Sequence, residues 1–162
     1  IGIRLRNLKG KKWAVLGSKS GLFFSPSIGS GGTVWCVEGP TSSAALVSLG
    51  FSVIGRPSNS AGRDHLIGLV KQIRPDTIVV VSEMDGRDDC SFCQDNLCQH
   101  CRPGEWGAYI TAAAIDGLAG RVVVIHPMIG KDVRDWINAG ATRDTLLECV
   151  NAQVGQGQAD PS

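Results

Sequence analysis

Long hydrophobic runs are missing from this sequence, and its apolar stretches are far shorter than the roughly 20 residues that a membrane-spanning helix requires. No signal-peptide pattern opens the chain either. These absences predict a soluble, cytoplasmic protein with no membrane partner. The chain also lacks an initiator methionine and begins at Ile1 within an apolar pattern, which indicates a piece of a longer protein.

Acidic residues are absent from the amino-terminal part of the chain, where none precedes Glu38. The formal net charge of the whole chain is only +1, so acids later in the chain balance the basic residues of this part. The two kinds of charge are therefore segregated along the sequence. A basic arm beside an acidic region suits a protein that binds phosphate backbones. The candidate phosphate-binding residues, in this arm and in one later turn, are Arg4, Arg6, Lys9, Lys11, Lys12 and Arg56. A solvated lysine-rich hairpin and an ordinary surface arginine explain the same residues equally well.

The length of 162 residues and the hydrophobic content of 43% suit one domain with a substantial core. Apolar residues alternate with basic or small ones over 1–6, and a second short apolar run covers 12–17. This pattern predicts an amino-terminal β-hairpin. We predict a hairpin appendage and linker over 1–32, an α/β domain over 33–152 and a flexible tail over 153–162.

Three apolar runs that are rich in β-branched residues begin at Thr33, Thr77 and Arg121, and acids follow each of them. Such runs are typical of strands that are buried on both faces, as in parallel sheets covered by helices. A further short apolar run over 51–56 supplies another strand. Helices are predicted over 40–50, with Thr41 as a cap, and over 62–73, 104–118 and 133–138, and after Thr142. The predicted fold therefore has about four parallel strands with helices on both faces.

The acids that follow the predicted strands are expected to meet at one edge of the sheet. Parallel strands point the same way, and open α/β sheets bind ligands beyond the carboxyl ends of their strands. The acids are Glu38, Glu83, Asp85 and Asp132. Carboxylates held together repel one another unless a cation neutralises them, and an oxygen-seeking ion such as Mg²⁺ is the expected one.

Four cysteines, Cys90, Cys93, Cys98 and Cys101, form a C-x₂-C-x₄-C-x₂-C pattern within a polar stretch. Two close CxxC pairs can place four thiolates around one Zn²⁺ ion, which then has no open position for catalysis. We therefore predict a structural zinc loop over 86–103. An iron–sulfur cluster and unmetallated or redox-active thiols are the alternatives, while a reducing compartment argues against disulfides.

The acidic motifs also carry a family resemblance. The segments VEGPTSSAAL, SEMD and GKDVRDW, in this order, resemble the Toprim domain of primases, topoisomerases and related nucleases. The stretch GIRLRNLKGKKWAVLGSKSGLFF resembles the segment that precedes this domain in phage-type and plasmid-type primases. The usual Asp-x-Asp pair stands here as Glu83-Met84-Asp85, and the four-cysteine loop is inserted after it.

The resemblance implies a Toprim-like Rossmannoid fold and assigns roles to individual residues. It implies that Glu38 is a general acid or base and that Glu83 and Asp85 hold Mg²⁺ or Mn²⁺. It places Lys131, Asp132 and Asp135 near the metal. Nucleotidyl transfer that depends on these ions is the expected chemistry.

The resemblance to the primase segment implies synthesis of RNA primers from nucleoside triphosphates on single-stranded DNA, with a helicase as a further partner in the full-length protein. A Toprim nuclease is one alternative, and a recombination mediator that binds DNA without chemistry is another. Topoisomerase activity requires a nucleophilic tyrosine, and the only tyrosine, Tyr109, is predicted on a packed helix. Similarly, His126 at a strand end is predicted to be packed rather than catalytic.

Overall fold

The computed structural model describes residues 4–9, 12–17, 19–86, 90–93 and 98–156. An antiparallel hairpin opens the described chain, formed by β1 (Arg4–Arg6) and β2 (Lys12–Ala14), with Leu5 opposite Trp13. The predicted hairpin is therefore present. Of its candidate phosphate-binding residues, Lys9 is exposed, and Lys11 lies outside the described residues.

A mixed sheet of five strands forms the centre of the fold, in the order β3-β5-β4-β6-β7. The strands are β3 (Phe23–Phe24), β4 (Thr33–Glu38), β5 (Ser52–Arg56), β6 (Thr77–Val81) and β7 (Arg121–Ile125). The pairs formed among β4, β5, β6 and β7 are all parallel, as predicted. The short β3 pairs antiparallel with the edge of β5 and was not predicted. Two residues are too few to show a periodic pattern, and both phenylalanines are exposed.

Helices cover both faces of the sheet, as predicted. They are α1 (Pro40–Ser48), α2 (Arg63–Ile73), α3 (Pro103–Ile115), α4 (Val133–Asn138) and α5 (Arg143–Gln156). One buried cluster joins the sheet to α1, α4 and α5 through residues such as Trp136 and Leu146, and the other joins it to α2 and α3 through residues such as Leu66 and Ile115. None of the helices in the described part of the chain combines the length and hydrophobicity needed to cross a bilayer.

The start of α1 determines how the chain leaves Glu38. Gly39, not the predicted Thr41, is the N-cap, and no side chain caps this helix. Its φ of 77° is a conformation that residues with a Cβ rarely adopt, so the chain turns sharply at a glycine. Pro40 then occupies the first turn, and the Gly39 N–H donates to Arg56 O at 2.7 Å. This turn keeps Glu38 at the carboxyl end of β4, beside the end of β5.

Candidate functional site

The acids predicted to share an edge all lie at or just beyond the carboxyl ends of parallel strands. Glu38 ends β4 and lies opposite Arg56 in the register with β5, while Glu83 and Asp85 follow β6. Asp132 follows β7 and is the N-cap of α4, where its side chain accepts from the Asp135 N–H. A hydrogen bond from Met84 N to Lys131 O at 2.7 Å joins the segments that follow β6 and β7.

Three of the four acids have partners within the chain. Asp85 Oδ1 accepts from the Gly104 N–H at 2.9 Å, and Glu83 Oε2 lies 3.5 Å from Lys131 Nζ. Asp132 accepts from Asp135 N at 2.9 Å and from Arg134 Nη2 at 3.2 Å. Within the described residues, the carboxylate oxygens do not form a cluster of three or more ligand atoms within 4.8 Å of one another. The acids therefore line one edge but do not form a closed ligand shell.

Glu38 is the exception. Its side chain is half-buried, and within the described part of the chain it has no hydrogen bond and no ion pair within 4 Å. Burial, followed by the negative charge of Glu83, raises the pKa of Glu38, and Arg56 offsets this only in part. Burial also raises the pKa of Glu83, against the opposing effect of Lys131. In both cases burial is the largest cause, and neighbouring carboxylates raise the pKa further.

The first turn of α3 approaches the acid pair closely enough to require a glycine. A Cβ at Gly104 would lie 2.6 Å from Glu83 O and 2.8 Å from Asp85 Oδ1. Because the first N–H groups of a helix have no partner within the helix, the Gly104 N–H is free to hold Asp85. Sequence reasoning missed this contact, although the Pro103-Gly104 pair at the helix start was a signal for it.

Arg56 is only 2% exposed, so it is not the surface arginine that its position before a turn suggested. Its Nη1 donates to Asn59 O at 2.9 Å, whereas its buried Nε has no hydrogen-bond partner. Its charge lowers the pKa of Glu38. Arg56 is thus a buried counter-charge at the acidic edge.

The residues after Asp132 add a second layer of charge to the edge. Asp135 accepts from the backbone N–H of Lys131 at 3.2 Å and from Arg134 at 3.1 Å. These contacts, with the Lys131 N–H as the largest cause, lower the pKa of Asp135, so this carboxylate stays ionised. The side chain of Lys131 is 54% exposed and that of Arg134 is 41% exposed, so both cations remain accessible to an anionic ligand.

The four cysteines of the predicted zinc loop come together. All four Sγ atoms lie within 4.8 Å of one another, with Cys93 and Cys101 at 3.5 Å, and none of the described cysteines forms a disulfide. Hydrogen bonding from the His100 backbone lowers the pKa of Cys98 to about 6, whereas burial raises the pKa of Cys101 to about 12. A set of four converging sulfurs could hold one zinc ion. Residues 87–89 and 94–97 of the predicted loop lie outside the described residues.

The cysteine cluster leads directly into the helix that holds Asp85. Cys98 O accepts from Arg102 N at 3.0 Å, and the buried Cys101 immediately precedes Arg102, the N-cap of α3. Two residues later, Gly104 donates to Asp85. The geometry of the cysteine cluster and the position of the acid pair are therefore linked by a few residues of backbone.

Tyr109 lies on α3, as predicted, but its side chain is 49% exposed rather than packed. Its hydroxyl group lies 3.3 Å from His126 Nε2, and His126 is half-buried after β7. Sequence reasoning did not predict this contact, because the two residues belong to different elements.

We expect Glu38→Gln to stabilise the metal-free fold at neutral pH. Folding raises the pKa of Glu38, so Glu38 contributes its full stability only below the pKa that it has in the unfolded chain, where it is protonated. That contribution is lost as the pH rises through the pKa of Glu38 in the folded chain, whereas glutamine stays uncharged at every pH. The variant should gain roughly 0.5–1 kcal/mol at pH 7 to 8, and the gain should vanish below about pH 4. Denaturant unfolding with a chelator present measures this. Glu148→Gln, at an exposed position on α5, is the control, and equal stability of Glu38→Gln and wild type at pH 8 would contradict the charge assignment.

Comparison of this chain with protein-family models, with curated proteins and with solved structures found no match. The functional interpretation therefore depends on the residues of the chain itself.

Proposed function

We propose that this chain is the Toprim-type catalytic part of a DNA primase, which joins nucleotides into an RNA primer on a single-stranded DNA template. The observation that carries the proposal is the half-buried, unpaired carboxylate of Glu38, whose pKa is raised by burial and by Glu83 and Asp85. The order of the three acidic motifs, which resembles that of Toprim domains, supports the same conclusion.

Magnesium or manganese fits this edge of the sheet by the chemistry of the donors. Carboxylate oxygens are the ligands that these ions prefer, and the repulsion from Glu83 and Asp85, which adds to the effect of burial in raising the pKa of Glu38, is charge that a divalent ion would relieve. Glu38, Glu83, Asp85 and Asp132 would hold the ion. When bound, the ion would neutralise charge on the phosphate oxygens during phosphoryl transfer.

The chain's own residues supply the remaining functions of such a site. A half-buried glutamate with a raised pKa suits proton transfer, so Glu38 would accept the proton of the attacking hydroxyl group. Lys131 is more than half exposed and now pairs with Glu83, so its ammonium group can turn to a phosphate of the incoming nucleotide. The accessible guanidinium of Arg134 would bind the same anionic ligand.

Template binding is assigned to the basic amino-terminal arm, in which Lys9 is exposed. Lysine and arginine side chains that neutralise phosphates release counterions, so binding of single-stranded DNA should weaken steeply with added salt. Nucleoside triphosphates are the second substrate that this proposal requires, and a helicase is a further proposed partner.

Zinc is assigned to Cys90, Cys93, Cys98 and Cys101. Four thiolates leave no open position for water or substrate, so the role of the ion is structural. A short polar loop has little core of its own, and metal binding would supply most of its folding free energy.

A second candidate is a recombination mediator that binds DNA without catalysing a reaction. The observation in its favour is that three acids at the edge already have partners in the chain, notably Glu83 with Lys131 and Asp85 with Gly104. A Toprim nuclease uses the same ions as a primase and differs in the nucleophile, so the two are separated only by assay.

Primer synthesis on single-stranded DNA, with Mg²⁺ and labelled nucleoside triphosphates, tests the proposal. We expect Glu38→Gln to reduce the rate at least about 100-fold, while DNA binding and the Glu148→Gln control stay at wild-type levels. Cleavage of the template without synthesis would identify a nuclease. DNA binding that needs no divalent ion and yields neither product would identify a mediator.

A further inference from the structure

His126 lies at the acidic edge without belonging to the carboxylate set, and both of its ring nitrogens are engaged. Its Nδ1 lies 2.7 Å from Ser82 Oγ, and its Nε2 lies 3.3 Å from the hydroxyl group of Tyr109. The rings of Tyr109 and His126 are 6.1 Å apart and tilted by 53°. From its position directly after β7, this imidazole therefore contacts both the segment after β6 and the helix α3.

The two residues that supply these hydroxyl groups lie on the segments of the chain that hold the acid pair. Ser82 is 2% exposed, donates its N–H to Ile125 O at 3.0 Å and immediately precedes Glu83. Tyr109 lies on α3, the helix whose first turn donates the Gly104 N–H to Asp85. The end of β6 and the helix α3 therefore both support the acid pair.

We propose that His126 is a positioning residue for the acid pair. Through Ser82 it fixes the end of β6, from which Glu83 extends, and through Tyr109 it fixes α3, which holds Asp85. The proposal rests on the proposed function only in taking this pair as a metal-binding pair.

The contacts persist in either tautomer of the imidazole. A hydroxyl group can donate or accept, so Ser82 and Tyr109 can each complement whichever ring nitrogen carries the proton. His126 thus links the end of β6 to α3 in either tautomer.

Two substitutions can separate the contacts. His126→Asn places an amide group near the position of Nδ1 and can keep the contact with Ser82, whereas His126→Gln reaches further and can keep the contact with Tyr109. His126→Ala removes both, and Tyr109→Phe removes only the contact on α3 from a half-exposed position.

Amide hydrogen exchange, measured by NMR on the whole chain without metal, tests the proposal at two reporters. The Gly104 N–H bonds Asp85, the Met84 N–H bonds Lys131 O, and Val79 in β6 reports the general stability of the sheet. We expect His126→Ala to speed exchange at Gly104 and Met84 at least about 10-fold relative to Val79. His126→Asn should keep the Met84 N–H protected. His126→Gln should keep the Gly104 N–H protected, whereas Tyr109→Phe should lose protection at Gly104.

His65→Ala, at an exposed position on α2, is the matched control and should change neither reporter. Unchanged exchange in His126→Ala, or an equal increase at all three amides, would overturn the proposal, because His126 would then be irrelevant or only generally stabilising. A parallel Mn²⁺ titration separates this result from the proposed function. A wild-type chain that does not bind Mn²⁺ would refute the metal site, whereas the exchange data test His126 in either case.

Discussion

Replacing Asp85 with asparagine is expected to lower the affinity for Mg²⁺ or Mn²⁺ about 10- to 100-fold and the rate of nucleotidyl transfer about 100-fold, with the fold intact. The reason is that the substitution separates charge from geometry. Asparagine keeps an Oδ1 atom that can accept from the Gly104 N–H, as Asp85 does at 2.9 Å. Only the negative charge that a divalent ion would bind is removed.

Calorimetric titration with Mn²⁺, followed by primer synthesis under saturating metal, measures both effects. Asp116→Asn is the control, because Asp116 is exposed at the other end of α3 and its substitution removes the same charge. Wild-type metal affinity in Asp85→Asn would exclude Asp85 as a metal ligand. If activity were lost while the metal affinity stayed unchanged, the only remaining role of Asp85 would be its contact with the start of α3.

The sequence contains enough information to predict the parallel sheet and its acidic edge. Runs such as the one from Thr77 to Val81 are apolar and β-branched on both faces, and such runs occur mainly in sheets covered by helices. Once the strands are parallel, the positions of Glu38, Glu83 and Asp132 beyond their carboxyl ends follow from direction alone. The local pattern of the sequence therefore predicts at which edge of the sheet the acids lie.

The partners of these acids could not be predicted, because each depends on contacts between distant segments. Gly104 reaches Asp85 only because α3 starts where the cysteine loop returns the chain to the sheet. The contact between Ser82 and His126 depends on the register of β6 with β7, which no local pattern specifies. The burial of Arg56 likewise results from its neighbours rather than from its own polar sequence context.

The same dependence on distant segments makes the cysteine cluster important for the acidic edge. Cys101 is buried beside Arg102, the N-cap of α3, so the cluster lies directly before the start of the helix. None of the four cysteines of the cluster is among the described residues that form or pack against the core on the other face of the sheet, which includes Trp35, Trp136 and Leu146. Loss of the metal should therefore disturb one end of α3 while the sheet stays folded.

Removal of zinc, by a chelator or by Cys93→Ser, is accordingly expected to release the first turn of α3 and to lower Mn²⁺ affinity at least about 10-fold, as the loss of an outer support does at other metal sites. Exchange of the Gly104 N–H should accelerate strongly, whereas that of Val79 in β6 should change little. Cys149→Ser, on α5 and outside the cluster, is the control and should keep its zinc. Elemental analysis should find one zinc per wild-type chain. No zinc, iron in its place, or a disulfide among the four cysteines would refute the assignment, and full protection of Gly104 in the zinc-free protein would separate the cluster from the acidic edge.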